Sequence, residues 1–227
     1  MTSSQPTSAP LAVALLSGGL DSCVAAAVAA LDHRLALLHV GYGQRTEARE
    51  LQAFSEIADH LGAAMRLVCR FPHLQQIGGT ALISGHGQKQ HTDAELPDTY
   101  VPFRNGNLLA AAVSYAEVVD AAAIFVGAHE ADSPYPDCTA SFFNSFAAAV
   151  AAGTGPSSEI RICTPLLHLD KTAIVSRGHE LGAPLHLTWS CYTASEIACG
   201  RCESCRIQFP TPDCVTSSLP LYYLDRP

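Results

Sequence analysis

The chain has 227 residues, enough for one large α/β domain or a medium domain with a small appendage. Its 13 basic and 21 acidic residues give a formal net charge of −8, which disfavours nonspecific binding to nucleic acid or anionic membranes. No apolar run approaches the roughly 20 residues of a membrane span, and residues 1–10 carry no Lys or Arg typical of a secretory signal. We therefore expect a cytoplasmic protein whose nine cysteines are thiols or metal ligands.

Strand-like apolar runs alternate with amphipathic helical runs after a flexible tail over residues 1–10. The pattern predicts strands over 11–16, 34–42, 64–70, 121–127 and 159–167, and helices over 20–31, 46–61, 107–119, 139–152 and 170–181, with Asn105 capping the third helix and Asp170 beginning the last. The stretch 71–103 is typical of an active-site loop. This alternation predicts an α/β fold with a doubly wound, mostly parallel sheet over 11–188, followed by a small lobe and tail over 189–227.

A turn rich in glycine and serine follows the first strand and opens the first helix: Ser17-Gly18-Gly19-Leu20-Asp21-Ser22. Its glycines permit close backbone approach, and its N–H groups, hydroxyls and helix N-terminus together favour an anion. The turn lacks the Gly-Lys-Ser/Thr of a Walker loop and does not read G-x-G-x-x-G. The position predicts a phosphate-binding loop; the alternative is an ordinary strand-to-helix turn.

Four cysteines in the C-terminal region have the spacing of metal ligands: Cys191, Cys199, Cys202 and Cys205. Four thiolates complete the closed tetrahedral shell of structural zinc and leave no position for a catalytic water. An iron–sulfur cluster also accepts four thiolates, and redox or unpaired thiols are a third possibility. We expect structural zinc, because hydrophobic periodicity is lost after Trp189 and this region needs something other than a core to fold it.

Further motifs follow the phosphate loop in order. They are Tyr42-Gly43-Gln44-Arg45, Val101-Pro102-x-Arg104-Asn105, Asp132-Ser133-x-Tyr135-Pro136-Asp137-Cys138, Thr164-Pro165-Leu166 leading to Lys171, Ser190-Cys191-Tyr192 and Cys199-Gly200-x-Cys202-x-Ser204-Cys205. Over about residues 11–205 the chain resembles the 7-cyano-7-deazaguanine synthase family of queuosine biosynthesis, within the N-type ATP pyrophosphatase (PP-loop) superfamily. The resemblance implies an adenine nucleotide α-hydrolase-like fold with a small zinc-binding lobe.

The resemblance also implies an activity. A family member is an ATP-dependent C–N bond-forming ligase that converts 7-carboxy-7-deazaguanine and ammonia to 7-cyano-7-deazaguanine. The carboxylate is adenylated, ammonia converts it to an amide, and a second activation of the amide oxygen removes water to give the nitrile. The implied cofactors are ATP, structural Zn²⁺ and Mg²⁺. The implied partners are small molecules, with a second copy of the chain in a possible homodimer. Neither a membrane nor a nucleic acid is expected as a partner.

The resemblance assigns residues to each role. It places ATP on Leu16, Ser17, Gly18, Gly19, Leu20, Asp21, Ser22, Cys23 and Val24, catalysis on Lys171, Asp21 and Arg104, the substrate on Arg104, Asn105, Asp132, Tyr135 and Asp137, and zinc on the four cysteines. Arg104 suits a carboxylate, Asp137 the donors of a guanine-like edge and Lys171 the phosphates, with Asp21, Asp132 or Asp137 on Mg²⁺. The other interpretations are a surface ion pair for Arg104, turn formation for Asp132 and Asp137, and an exposed helix position for Lys171.

This chain also departs from the family pattern. Phe103 and Pro134 stand where the family usually has glycine, and the Arg-rich continuation after Cys205 is absent. Three other functions therefore stay open: a PP-loop tRNA thiolase, a relative that attaches a deazaguanine to a macromolecule, and a non-catalytic zinc-stabilised binding protein. The acidic net charge disfavours the first, and the intact loop with Lys171 disfavours the last.

Overall fold

A computed structural model describes residues 8–83, 96–131, 134–202 and 204–205. Within these ranges five strands form one sheet: β1 (Leu11–Leu15), β2 (Arg34–Gly41), β3 (Met65–Arg70), β4 (Ala123–Phe125) and β5 (Arg161–Cys163). The same ranges contain six α-helices: α1 (Leu20–Ala29), α2 (Glu47–His60), α3 (Pro72–Ile77), α4 (Arg104–Val119), α5 (Ala140–Gly153) and α6 (Lys171–Glu180). No helix in the described ranges is both long enough and apolar enough to span a bilayer.

All neighbouring strands of the sheet are parallel, in the order β3-β2-β1-β4-β5. The central strand β1 pairs with β2 on one side and β4 on the other, so that Val13 lies opposite both Ala36 and Ile124. The winding of the chain reverses between β1 and β4. In open α/β sheets such a switch point forms a ligand crevice at the carboxyl ends of the strands, and the glycine-rich turn begins there.

Helices cover both faces of the sheet. Successive β1 side chains point to opposite sides and are all apolar, so both faces need to be buried. Ala12 and Ala14 belong to a core that α1, α2 and α6 complete, with Val24, Phe54 and Ile174 among its buried members. Val13 and Leu15 belong to a second core on the other face, formed with α4 and α5 through residues that include Leu109, Ala112 and Phe143. The prediction of a doubly wound parallel α/β sheet is confirmed.

A buried histidine joins the two central strands just before the glycine-rich turn. His39 on β2 contacts the carbonyl oxygen of Leu16 through Nδ1 at 3.1 Å. Burial lowers the pKa of His39, so its imidazole is neutral near pH 7. Because a carbonyl oxygen only accepts, Nδ1 carries the proton and donates it to Leu16. This bond fixes the end of β1, from which the turn departs.

The predicted elements all exist, with shorter strands than expected for β4 and β5. Asp170 begins the last helix as predicted, since its side chain accepts from the amide of Ala173. The stretch 71–103, predicted to be an active-site loop, also contains a helix: α3 occupies Pro72–Ile77, with proline at its first position, where the missing N–H costs nothing. Residues 84–95 of that loop, and most of the predicted tail over 1–10, lie outside the described residues.

The predicted cap of the helix over 107–119 is also wrong. The helix begins at Arg104, and Asn105 lies inside its first turn. Its start is instead capped from a distant loop, because Oδ2 of Asp137 accepts from the backbone amide of Asn105 at 2.7 Å. A cap 32 residues away in sequence is a tertiary contact that local propensity does not reveal. Phe103, just before the helix, adopts a left-handed backbone with φ of 53°.

Candidate functional site

A cavity of about 530 Å³ opens at the carboxyl ends of the central strands, within the size range of small-molecule sites. Its walls come from the glycine-rich turn after β1, the loop after β2, the start of α4, the loop after β4, the start of α6, and Trp189, Ser190 and Tyr192. Of the residues predicted to act in function, those on the cavity wall are Leu16, Ser17, Gly19, Leu20, Asp21, Ser22, Arg104, Asn105, Tyr135 and Lys171.

The glycine-rich turn is organised by its own hydroxyls. Ser17 Oγ accepts from the Gly19 amide at 3.2 Å and lies 3.1 Å from Ser22 Oγ, which donates to the Gly19 carbonyl at 2.9 Å. Gly18 has a φ of +93°, and a Cβ at this position would lie 2.6 Å from the carbonyl oxygen of Glu50. Only glycine fits that conformation and that space. The turn is therefore held with its hydroxyls and first helical amides at the cavity wall, as anion binding requires.

Lys171 and Asp21 form an ion pair on the cavity wall, although 150 residues separate them in sequence. Lys171 Nζ donates to both carboxylate oxygens of Asp21, at 2.7 and 2.8 Å. His129, in the loop after β4, lies 3.6 Å from the same carboxylate through Nε2. The interpretation of Lys171 as an exposed helix residue is wrong, because its side chain is only 24% exposed and faces the turn. A cation, a carboxylate and an anion-binding turn thus meet at one point.

Gly127, two residues after β4, lies against the backbone of Asp21. A Cβ at Gly127 would lie 2.6 Å from the backbone carbonyl of Asp21 and from the amide of Ser22. Such a distance is a collision with backbone that cannot relax by a side-chain rotation. Glycine therefore lets the loop after β4 approach the first turn of α1 closely, and no predicted motif pointed to this residue.

Arg104 lies at another part of the cavity wall, at the start of α4. Its Nη1 donates to the hydroxyl oxygen of Tyr42 at 3.3 Å. Burial raises the pKa of Tyr42, so the phenol stays neutral and acts as an acceptor. Among the described residues no carboxylate pairs with Arg104, which contradicts its interpretation as a surface ion pair. The guanidinium retains N–H groups for an anion in the cavity.

Tyr135, which the resemblance assigns to the substrate, lies on the cavity wall and is held by two neighbouring residues. Its ring stacks on that of Tyr100, with centroids 5.8 Å apart and planes 18° apart. Its hydroxyl lies 3.0 Å from the hydroxyl oxygen of Thr99. These contacts fix an aromatic ring at the wall of the cavity that also carries Arg104.

Four predicted site residues lie away from the cavity wall, and a fifth is outside the described residues. Cys23 and Val24 are fully buried on the core-facing side of α1, and burial raises the pKa of Cys23 to about 12, which makes its thiol unreactive. Asp137 is buried behind the wall, where its carboxylate caps α4, and Gly18 lies behind the turn. Asp132 lies outside the described residues.

A polar network after β2 was not predicted as part of the site. Glu50, on the cavity wall, accepts from Thr46 Oγ1 at 2.6 Å and from Gln44 Nε2 at 2.9 Å. Gln44 in turn accepts from the amide of Tyr42 through Oε1 at 2.8 Å. The Tyr42-Gly43-Gln44-Arg45 motif was the signal that pointed to this loop, but the motif alone does not say which of its side chains meet the cavity.

The four cysteines converge as their spacing predicted. The sulfur atoms of Cys191, Cys199, Cys202 and Cys205 all lie within 4.8 Å of one another. Cys199 Sγ accepts from the amides of Arg201 and Cys202 at 3.4 and 3.3 Å, across a turn that Gly200 permits with a φ of +66°. Burial alone would raise the pKa of Cys199, but hydrogen bonds from the Thr193 hydroxyl and these amides lower it to about 6. Four clustered sulfurs, one of them stabilised as thiolate, fit a metal ion.

A parallel doubly wound sheet with an SGGxDS turn at its switch point, next to a lysine and a carboxylate, defines a PP-loop protein, a class of ATP-utilising α/β fold. The model of the family described as "Queuosine biosynthesis protein QueC" matches residues 11–209. This chain belongs to the QueC family, as its motifs predicted.

Curated relatives extend this similarity over nearly the whole chain. The chain is 49% identical over 202 residues to the 7-cyano-7-deazaguanine synthase of Acidobacterium capsulatum, covering 86% of this chain and 88% of the relative. It is 45% identical over 223 residues to the synthase of the same name from Haloarcula marismortui, covering 95% and 96%. For the synthase of Chlorobium phaeobacteroides the identity is 45% over 221 residues, covering 95% and 98%.

Proposed function

We propose that this protein is a 7-cyano-7-deazaguanine synthase, which uses ATP to convert 7-carboxy-7-deazaguanine and ammonia to the nitrile. The observation that carries the proposal is one cavity whose wall holds both an anion-binding turn with Lys171 and Asp21 and the guanidinium of Arg104, which has no carboxylate partner among the described residues, together with a fixed aromatic ring. The first set of groups suits the polyphosphate of ATP, and the second suits a planar substrate that carries a carboxylate. The 45–49% identity to synthases of that name supports the same reaction.

The polyphosphate end acts by positioning and charge. The first amides of α1 donate to phosphate oxygens, and the Ser17 and Ser22 hydroxyls, which bond within the turn in this structure, would rotate to do the same. Lys171 neutralises the charge that develops as pyrophosphate leaves. Asp21 is the carboxylate at the cavity wall that would hold Mg²⁺, whose charge lowers the repulsion between the nucleotide and the attacking carboxylate. The Asp21–Lys171 pair keeps both groups at the cavity wall.

The substrate end acts by orientation. The guanidinium of Arg104 binds the 7-carboxylate, and the ring of Tyr135 presents a face for the deazaguanine. The carboxylate oxygen attacks the α-phosphorus and releases pyrophosphate; ammonia then attacks the acyl carbon, releases AMP and leaves the amide. A second ATP takes the amide oxygen in the same way, and loss of the two N–H protons with departure of AMP gives the nitrile. The apolar walls of the cavity, including Val40 and Leu108, limit access of water to the adenylates.

The remaining predicted residues have supporting roles in this proposal. Asp137 caps α4 and so positions Arg104 at the start of that helix. Asn105 Nδ2 donates a second hydrogen bond to the carbonyl oxygen of Asp137 at 2.8 Å. Asp132 is proposed to contact the substrate or Mg²⁺. We further propose zinc on the four cysteines, a nucleotide-binding domain over 11–188, a lobe and tail over 189–227, and a cytoplasmic location.

The direct test is incubation of the purified protein with 7-carboxy-7-deazaguanine, ammonium and ATP, followed by mass spectrometry. We expect the amide to appear first and the nitrile to follow, with AMP and pyrophosphate formed in step. The Lys171→Ala variant, purified in the same way, controls for contaminating activity. Formation of neither amide nor nitrile by a protein that contains metal would contradict the proposal.

Changing Arg104 to lysine tests the substrate end. A single ammonium cannot reproduce the paired N–H donors of a guanidinium, so the KM for the carboxylate should rise roughly 10- to 150-fold while the Kd for ATP stays unchanged. Arg66→Lys is the matched control. Arg66 lies on β3, outside the cavity lining, and its guanidinium pairs with Asp59 at 2.7 Å. Steady-state kinetics that give the same KM and kcat as the unmodified protein would show that Arg104 does not bind substrate.

A further inference from the structure

A three-residue segment joins the cysteine cluster to the glycine-rich turn. The backbone amide of Trp189 donates to the carbonyl oxygen of Gly18 at 2.8 Å, and two residues later Cys191 contributes its sulfur to the cluster. The Trp189 side chain packs against the buried cysteines Cys191 and Cys205. Its ring also lies under the guanidinium of Arg49, 4.8 Å from the ring centroid. The segment therefore touches both the cysteine cluster and the glycine-rich turn.

The residue between Trp189 and Cys191 lies beside the proposed phosphate site. A Cβ built at Gly19 would lie 3.4 Å from Ser17 Oγ, 3.7 Å from the Trp189 carbonyl oxygen and 3.8 Å from Ser190 Oγ. Ser17 and Ser190 thus flank the start of α1, and both line the cavity. Ser204, between the ligands Cys202 and Cys205, lines the cavity as well. Residues next to the cysteines therefore form part of the cavity wall, and Ser190 lies next to the glycine-rich turn.

We propose that the cysteine cluster is a working part of the nucleotide site, in which Ser190 donates its hydroxyl to a phosphate oxygen and Trp189 positions Gly18 and Gly19. This inference rests on the proposed ATP-dependent function and extends it. Without metal, Cys191 has no anchor, and residues 189–190 can move away from the turn. Nucleotide binding must then also provide the free energy that orders these residues against the turn. By linkage, metal binding and nucleotide binding strengthen one another by the same factor.

The first test separates Ser190 from general stability. The Kd values for ATP and for pyrophosphate are measured by calorimetry on the metal-loaded protein and on Ser190→Ala, Ser190→Thr and Ser195→Ala. Loss of a hydroxyl donor to a charged oxygen should raise both Kd values roughly 10- to 100-fold in Ser190→Ala, with bound metal and Tm unchanged. Ser190→Thr restores the donor and should recover most of the affinity. Ser195 is exposed and lies outside the cavity lining, so Ser195→Ala should match the unmodified protein.

The second test measures the linkage through metal release. Trp189 is the only tryptophan of the chain, so its emission reports the contact with the turn while a colorimetric indicator reports metal taken by a chelator. Saturating ATP should slow metal release from the unmodified protein about 10-fold or more. In Ser190→Ala the rates of metal release with and without ATP should be nearly equal. Unchanged nucleotide Kd values in Ser190→Ala, together with metal release insensitive to ATP, would overturn the inference and leave the proposed function intact. If the metal-loaded protein does not bind ATP at all, the proposed function itself fails.

Discussion

Replacing Cys202 with serine should remove the metal and abolish synthase activity. The four sulfurs lie within 4.8 Å of one another and are held by backbone amides, so one lost thiolate opens the shell. Metal binding contributes about 10–16 kcal/mol in small zinc-dependent folds, as much as the whole net stability of a typical domain. We therefore expect the metal content to fall from about one ion per chain to near zero, with a lower Tm and loss of ATP binding.

Elemental analysis and thermal melting check this expectation, and the same measurement identifies the metal, since iron in place of zinc would indicate a cluster. Cys69→Ser is the matched control, because Cys69 is half-buried on β3 and lies outside the cysteine cluster. That variant should keep its metal and its turnover. Full activity and unchanged melting of a metal-free Cys202→Ser protein would show that the cysteines have no structural role.

Replacing Lys171 with alanine should lower ATP-dependent turnover roughly 10- to 150-fold, the effect of losing one charge-assisted contact felt mainly at the transition state. The loss is enlarged by Asp21, whose carboxylate would then face the polyphosphate without the cation that now donates to both its oxygens. Ser17→Ala should reduce turnover by the same order. Metal content and Tm should stay unchanged in both variants.

A double-mutant cycle with Asp21→Asn makes this test specific. Because Lys171 and Asp21 are directly paired, the effects of the two changes should not add. Arg177→Ala, on the exposed side of the same helix and paired with Glu180 at 3.0 Å, is the control that should leave turnover unchanged. Turnover and ATP affinity equal to those of the unmodified protein in Lys171→Ala and Ser17→Ala would reduce the glycine-rich turn to a tight connection without a phosphate role.

Features set by short stretches of chain were predictable from the residues alone. The period of the apolar runs gave the alternation of strands and helices, because side-chain burial repeats every two or 3.6 residues. The turn after β1 followed from Gly18 and Gly19, and the convergence of Cys199, Cys202 and Cys205 from the two-residue spacers between them. In each case the interacting groups are close in sequence, so the local backbone conformation decides their geometry.

Contacts between distant segments were decided only by the tertiary structure. The pairing of Lys171 with Asp21 spans 150 residues, and the cap that Asp137 provides for α4 spans 32. Both depend on how helices and loops pack onto the sheet. For the same reason the motif did not reveal that Cys23 and Val24 face the core while Ser17 and Ser22 face the cavity.

The composition and motifs of this sequence thus determined the fold class, the family and the chemical groups available for catalysis. The tertiary structure decided which of those groups share one cavity, and that the residues next to the cysteine cluster form part of its wall. The physical reason is that side-chain type and short-range spacing are properties of the chain itself. Convergence of groups from β1, α4, α6 and residues 189–192 depends instead on the order of strands in the sheet and on the close packing around it.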